Sequence, residues 1–176
     1  MPENTSYDPK QVFKSCVQVG CVVADIDRSM DALTKIFGIG PFRCIDWPPA
    51  GREDMNRQYH GRSADFTARM AFAEIGAIEL ELIQPVSGES VWADFLREHG
   101  GGIHHIRYNV DDPESLMEYL AGHGIGVSQE AAGIRPGTRW ALFDTEALIG
   151  FTMEIMKPVA GTDGRTPMIV DGVVQG

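Results

Sequence analysis

Residues 18–40 read QVGCVVADIDRSMDALTKIFGIG, and residues 105–126 read HIRYNVDDPESLMEYLAGHGIG. Laid over one another with a single-residue gap, the two stretches carry one plan. A short strand ends at Val23 or Val110, an acidic turn follows at Asp25 or Asp112, then an amphipathic helix, then a Gly-Ile-Gly stop. A segment that recurs in this way is one supersecondary unit used twice. Each copy opens on a metal-capable side chain, Gln18 in the first and His105 in the second. Each also has a later strand with a carboxylate shortly before a proline, Glu81 in ELIQP and Glu154 in EIMKP. Two such units facing one another would bring four ligand-type groups to one centre.

Outward from these repeats the periodicity defines further elements. Cys16 to Val23 alternates, with Gln18, Gly20 and Val22 on one face and Val17, Val19, Cys21 and Val23 on the other. Asp27 is read as the cap of the first helix, along which Ile26, Met30, Leu33 and Phe37 recur at helical spacing until Gly38. A second strand is expected from Phe42 to Asp46. Residues 47–64, WPPAGREDMNRQYHGRSA, break every period and read as a long loop, either a functional lid or a mobile connection. Strands follow at Phe66 to Ala73 and Ala77 to Ile83, joined by Glu74-Ile75-Gly76. A helix is expected from Ser87 to His99 with Val91, Phe95 and Leu96 inward. Gly100-Gly101-Gly102 marks the boundary between the halves. The second half has a strand from Ile103 to Val110 and a helix that opens on Pro113 and buries Leu116, Tyr119 and Leu120. A turn-rich AAGIRPGTR stretch and strands at Trp140 to Asp144 and Gly150 to Met156 complete it. The chain then divides into a flexible arm (1–12), a first module (13–99), a second module (100–158) and a tail (159–176) that is either loose or an arm over a partner subunit.

Composition excludes several classes. The 176 residues are 43% hydrophobic, enough for an ordinary core, and no apolar run approaches the roughly 20 residues of a membrane span. The opening MPENTSYDPK lacks the basic and apolar regions of a secretory signal, so a cytoplasmic protein is expected. A net charge of -10 argues against nucleic acid, whose phosphates demand a basic face. Cys16, Cys21 and Cys44 have no CxxC spacing and read as buried reduced thiols.

Each candidate ligand lies in a β-rich apolar stretch, where an ionised carboxylate must be paired or metal-bound. Glu79 and Glu81 share one strand face. His104 points away from His105, so only one of the two can be a ligand. Arg107 falls two residues after His105 and shares its inward face, and Arg69 is placed inward as well. Inward arginines in an acidic protein serve either an anionic group on a substrate or the neighbouring Glu79 and Glu81. Tyr59, His60 and Trp47 in the loop either cover a substrate or anchor the loop.

Three segments now carry a resemblance: QVGCVVADIDRSMDALTKIFGIGPF, then IELELIQPVSGESVWADFLREHGGGIHHIRYNVDD, then WALFDTEALIGFTMEIMKP. Together they span roughly Cys16 to Pro158, and the middle one, with ELxxP, a helix and GGxHHI in order, is the most specific. The chain resembles the vicinal-oxygen-chelate superfamily (glyoxalase, bleomycin-resistance and dioxygenase proteins), and within it the methylmalonyl-CoA-epimerase-like group. The resemblance implies an α+β fold of paired βαβββ modules whose sheets form a half-barrel around a divalent metal. It implies four ligands: Gln18 where the family has the His of an HIGIAV-like strand, then Glu81, His105 and Glu154. Gln18 departs from the epimerase pattern, although animal-type glyoxalase I resembles this Gln, Glu, His, Glu set.

One imidazole with amide and carboxylate oxygens suits Co, Ni, Mn, Mg or Zn. A ring-cleaving iron oxygenase wants two His and one carboxylate, which this set does not supply. An open divalent site polarises a carbonyl and favours loss of the neighbouring proton to a carboxylate base. Glu154 and Glu81 are the expected bases, and Arg107, Arg69, Glu79 and Tyr59 the expected substrate-binding residues. The epimerases of this group are similar in having a further Glu on the strand before the second ligand, and TARMAFA (67–73) has none. The expected function is therefore a metal-dependent isomerase, epimerase or lyase acting beside a carbonyl of a small organic substrate, anionic or acyl-CoA, in a homodimer. The alternative is a metal-free binding protein of the sequestration type on the same fold.

Overall fold

The computed structural model describes residues 8–13, 16–52, 55–159, 162, 166–170 and 173–175. After a single 3-10 turn at Pro9–Gln11 the first half runs β1 (Cys16–Val22), α1 (Ile26–Phe37), β2 (Arg43–Trp47), β3 (Gln58–Tyr59), β4 (Arg62–Ser63), β5 (Thr67–Ile75) and β6 (Ile78–Ser87). Helix α2 (Val91–His99) leads to the second half. This comprises β7 (Gly102–Asn109), α3 (Pro113–Gly122), β8 (Val127–Ala132), β9 (Arg139–Phe143), α4 (Glu146–Ile149) and β10 (Thr152–Met156). A small hairpin, β11 (Met168–Val170) with β12 (Val173–Gln175), follows.

The ten principal strands form one sheet in the order β2-β5-β6-β1-β7-β10-β9-β8-β3-β4. Its centre is the antiparallel β1–β7 pair, with β6 parallel to β1 on one side and β10 parallel to β7 on the other. The flanking order β6-β5-β2 is matched by β10-β9-β8, so the repeat in sequence becomes a pseudo-twofold about β1–β7. The chain has the α+β half-barrel architecture of paired βαβββ units. Hairpin β3–β4 leaves the first half and pairs through β3 with β8 of the second, so the two halves share their outermost strands.

Strand alternation separates three cores. Leu80, Leu82, Ala71 and Ile26 pack with Cys21, Val23, Met30 and Leu33, burying α1 on the back of the first half. Val110, Leu116, Leu120, Phe143 and Ile155 do the same under α3. The third core fills the concave face with Trp47, Phe66, Met70, Phe72, Trp92, Trp140 and Leu142. Helix ends follow local chemistry. Asp25, not Asp27, caps α1: its backbone is extended and its carboxylate accepts from the Arg28 N–H at 3.0 Å. Asp27 lies inside the first turn, where it meets Arg69 instead. Gly38 ends the helix with a left-handed φ of 69°.

Several boundaries differ from expectation for identifiable reasons. The 47–64 stretch is not a plain loop: Trp47 closes β2, Met55 is fully buried, and two short strands form. Ser87 belongs to β6, and α2 begins only after Ser90, whose hydroxyl accepts from Ala93 N–H. The β5–β6 turn is at Gly76 (φ 60°), so Glu74 and Ile75 remain in the strand. Strand β8 went unforeseen because VSQEAA alternates weakly, and it takes in the first two residues of the AAGIRPGTR stretch. Tyr119 is half-buried rather than core. The cysteines are free, but Cys16 and Cys21 are half-buried and Cys44 is exposed.

Of the expected N-terminal arm, Val12 and Phe13 pack against the second-half core, with Phe13 edge-on to Tyr108, and residues 1–7 lie outside the described residues. The tail beyond Pro158 is not simply loose: Val159, Thr162, Thr166 and Pro167 line the concave cleft. No helix among the described residues is long and apolar enough to cross a membrane.

Candidate metal centre and cleft

The strand registers place the site. Gly20 of β1 faces Glu81 on one side and His105 on the other, and Glu154 of β10 lies beside Arg107 on β7. The outcome is one buried cluster: His105 Nε2 is 2.8 Å from Glu154 Oε2 and 3.2 Å from Glu81 Oε2. One ligand-type atom from each of the three lies within 4.8 Å of the others. Bonds of roughly 2.1 Å from a single ion put neighbouring ligand atoms about 3 Å apart, and the two distances from His105 Nε2 to the carboxylates match that spacing.

Gly20 has a direct part in this geometry. A Cβ there would lie 2.0 Å from His105 Cε1 and 2.2 Å from Nε2, so the imidazole rests against the bare glycine backbone. On the other side His105 Nδ1 is 3.0 Å from His104 Nδ1. Burial, aided by His105 and His99, holds the His104 pKa down to about 2, so its ring is neutral. A neutral neighbour at Nδ1 fixes the orientation of the ring whose Nε2 faces the carboxylates, the arrangement that metal-ligating histidines use. His104 itself packs edge-on against Phe95 of α2.

The electrostatics call for a positive charge within the cluster. Burial works to lower the His105 pKa, but Glu154 and Glu81 outweigh it and carry it to about 9. Burial raises the Glu81 pKa, opposed by its contacts with His105. Two carboxylates in an apolar interior require a positive partner, either a protonated His105 or a metal ion.

Gln18 is completely buried and is turned toward Glu79, to which its Nε2 donates at 2.7 Å. Among the described residues that bond leaves Oε1, the metal-binding atom of an amide, as a buried acceptor without a hydrogen-bond partner. Glu79 is equally buried and sits in a second polar cluster. It accepts from Arg43 at 2.5 Å and from Thr166 at 2.9 Å, with Arg107 Nη2 at 3.8 Å. Arg43 and Thr166 were not singled out in the sequence. Arg43 is signalled only by its position two residues from Ile45 on the inward face of β2.

Two expected substrate-binding residues are elsewhere. Arg69 lies on the convex face, forming a forked pair with Asp27 of α1 at 2.7 and 2.8 Å, because its neighbours Ala68 and Met70 take the inward positions. Tyr59 donates to Asp94 of α2 at 2.5 Å and stacks under Arg62, so it anchors the β3–β4 hairpin. Arg107 does line the cleft. The cleft places Glu81, His105 and Glu154 beside Trp47, Phe72, Trp92 and Trp140.

With this geometry in view, the comparison with known families is decisive: residues 17–142 match the model of the Glyoxalase/Bleomycin resistance protein/Dioxygenase superfamily. The chain belongs to that superfamily. Among solved structures, a hypothetical protein from Bacillus halodurans C-125 aligns with TM-score 0.63 and 21% identity over 85% of this chain and 97% of its own. Methylmalonyl-CoA epimerase from Mycobacterium tuberculosis aligns with TM-score 0.60 and 20% identity over 84% and 90%. A Streptomyces coelicolor methylmalonyl-CoA epimerase variant in complex with 2-nitronate-propionyl-CoA aligns with TM-score 0.61 and 19% identity over 84% and 96%. At these identities the likeness is one of fold. None of the curated proteins compared matches the sequence.

Proposed function

We propose that the chain is a divalent-metal-dependent isomerase, epimerase or lyase that moves a proton next to a carbonyl. The observation that carries this reading is the buried convergence of Glu81, His105 and Glu154 at the wall of a cleft. The donor set fits a divalent ion: two carboxylates, one imidazole oriented through its other nitrogen, and on the neighbouring strand the Gln18 Oε1, which has no hydrogen-bond partner among the described residues. These four residues would hold the ion, which when bound supplies Lewis acidity toward a substrate oxygen.

The chain's own residues do the rest. Glu81 and Glu154 are the proton acceptors, and burial gives Glu81 a basicity above that of a solvated carboxylate. Arg107 lies on the cleft wall, where it orients an anionic group. Trp47, Trp92 and Trp140 keep bulk water from the reacting atoms, which strengthens every charge interaction there. Acyl-CoA compounds are one substrate class to test, given the ligand of the Streptomyces coelicolor neighbour.

The test is exchange of solvent deuterium into the carbon next to the carbonyl of propionyl-CoA and of small 2-oxo acids, with and without added Zn, Mn, Co or Ni. Metal-dependent exchange that Glu154→Gln lowers at least about a hundredfold is the expected result. A second reading, a metal-free binding protein, is supported by the ability of protonated His105 to satisfy both carboxylates by itself. Ligand binding with no exchange under any metal would favour it.

A further inference from the structure

We infer that Glu79 is a positioning residue for the metal centre: it holds the Gln18 side-chain amide in the one orientation that leaves the amide oxygen free for an ion. This rests on reading Glu81, His105 and Glu154 as a metal centre and adds to it a residue that would not itself touch the ion. The strand registers set the arrangement. Gln18 and Gly20 share the buried face of β1. Gly20 is flanked by Glu81 on β6 and His105 on β7, and Gln18, one pleat repeat along, by Glu79 and Arg107. Glu154 belongs to the Gln18 row, since its partner on β7 is Arg107. The amide therefore lies in the row next to Glu81 and His105, on the same face of the sheet.

A glutamine amide carries an acceptor oxygen and a donor NH2 on one terminal group, and half a turn exchanges them. Only the oxygen binds a hard divalent ion. Which of the two is free depends on what the other meets. Gln18 is completely buried, and its Nε2 donates to Glu79 Oε1 at 2.7 Å. Turned over, the amide would set its oxygen against the Glu79 oxygen at that distance, acceptor against acceptor. Glu79 is itself held as an acceptor at both oxygens. Arg43 Nη2 donates to Oε2 at 2.5 Å, and Thr166 Oγ1 donates to Oε1 at 2.9 Å. A guanidinium has donors only, so the polarity of the chain from Arg43 through Glu79 to Gln18 runs one way. It ends at Gln18 Oε1, a buried acceptor with no hydrogen-bond partner among the described residues. A buried acceptor of that kind costs stability, and an ion that takes its lone pair removes the cost. Because the orientation is set in the metal-free protein, no amide rotation has to be ordered when the ion arrives.

The test is Zn titration calorimetry with heteronuclear NMR of the full chain, for wild type, Glu79→Gln, Gln18→Leu and the double variant. In Glu79→Gln, Arg43 claims the only acceptor of the new amide, so its NH2 faces Gln18 and turns that amide over. Zn affinity should then fall about 10–100-fold, the loss that follows removal of a partner that orients a ligand. In the Gln18→Leu background the same substitution should change affinity by less than about threefold, because the amide it acts on is gone. In Zn-free wild type the Gln18 side-chain NH2 should be shifted downfield and exchange slowly, and Glu79→Gln should move it. An equal loss of affinity in both backgrounds would assign the effect to charge or packing and overturn the inference. Wild-type Zn affinity in Glu79→Gln, or Gln18 NH2 signals that the substitution leaves in place, would overturn it as well. If Glu79→Gln does not fold, the Gln18 NH2 of the Zn-free wild type decides: slow exchange upholds the lock, and rapid exchange refutes it. A protected NH2 in a wild type that takes up none of Zn, Co, Ni or Mn refutes the metal reading and, with it, the role of Glu79 there. Zn binding with an unprotected NH2 refutes the lock alone.

Discussion

Replacing Gly20 with alanine tests how tightly the sheet backbone sets the metal-capable face. The added Cβ would stand 2.0 Å from His105 Cε1, 2.2 Å from Nε2 and 2.6 Å from Nδ1. Ordinary contact begins at 3.4 Å, so the imidazole must retreat by about 1.4 Å. Glu81, Glu154 and His104 lie around it at 2.8 to 3.2 Å, so a retreat of that size breaks these contacts. Metal–ligand distances tolerate about 0.2 Å, so a shift of that size removes His105 from the ligand set. Overpacking of this kind costs about 1–3 kcal/mol, which corresponds to a Tm lower by about 4–8 °C at the middle of that range for a chain of this size. The expected result is Zn affinity reduced at least about a hundredfold by calorimetry, with an unchanged far-ultraviolet circular dichroism spectrum. Wild-type Zn affinity in Gly20→Ala, or an unshifted His105 imidazole resonance, would refute the reasoning.

Other consequences are open to the same scrutiny. Among the described residues Arg43→Met leaves Glu79, which is fully buried, with only the 3.8 Å contact to Arg107 as an ionic partner, and should cost about 2–4 kcal/mol in urea unfolding, whereas Glu79→Gln in the same background should recover part of it. Arg69→Ala should leave Zn affinity unchanged, because the Asp27–Arg69 pair is on the exposed convex face. The Asp94 hydrogen bond pushes the Tyr59 phenol up to about 12. A raised folded pKa means that this contribution to stability is complete below pH about 10 and is lost as pH rises through about 12. Asp94→Asn should therefore return one tyrosine's ultraviolet titration toward the ordinary range, and an unchanged titration would exclude the bond.

The repeat was legible in the sequence because it rests on strong local signals: acidic turns at Asp25 and Asp112, Gly38 and Pro113 at helix ends, and period-2 runs in β1 and β7, although the cap of α1 was read two residues late, at Asp27 instead of Asp25. Alternation put Gln18 with Gly20 on one face of β1, Glu79 with Glu81 on one face of β6 and Arg107 with His105 on one face of β7; Glu154 came from the repeat match and the family resemblance. What was hidden is tertiary. Arg69 has the same period-2 signal as its neighbours, and only the choice of face by Met70 and Phe72 sends it outward. The 47–64 stretch looked structureless because its order comes from β3 pairing with β8, a partner 70 residues further along the chain (Gln58↔Glu130, Tyr59↔Gln129). The Trp47, Trp92 and Trp140 wall is assembled from β2, α2 and β9, three elements with no sequence relation. Thr166 meets Glu79 from a Gly-rich tail that carries no periodic signal.

The central claim is that Glu81, His105 and Glu154 hold a divalent metal, and elemental mass spectrometry of untagged protein tests it most directly, wild type beside His105→Ala and Glu154→Ala. The account predicts near-stoichiometric metal in the wild type, as isolated or after reconstitution with Co, Ni, Mn or Zn, and its loss in both variants. A wild type that takes up none of these metals, or variants that retain the wild-type content, would contradict it.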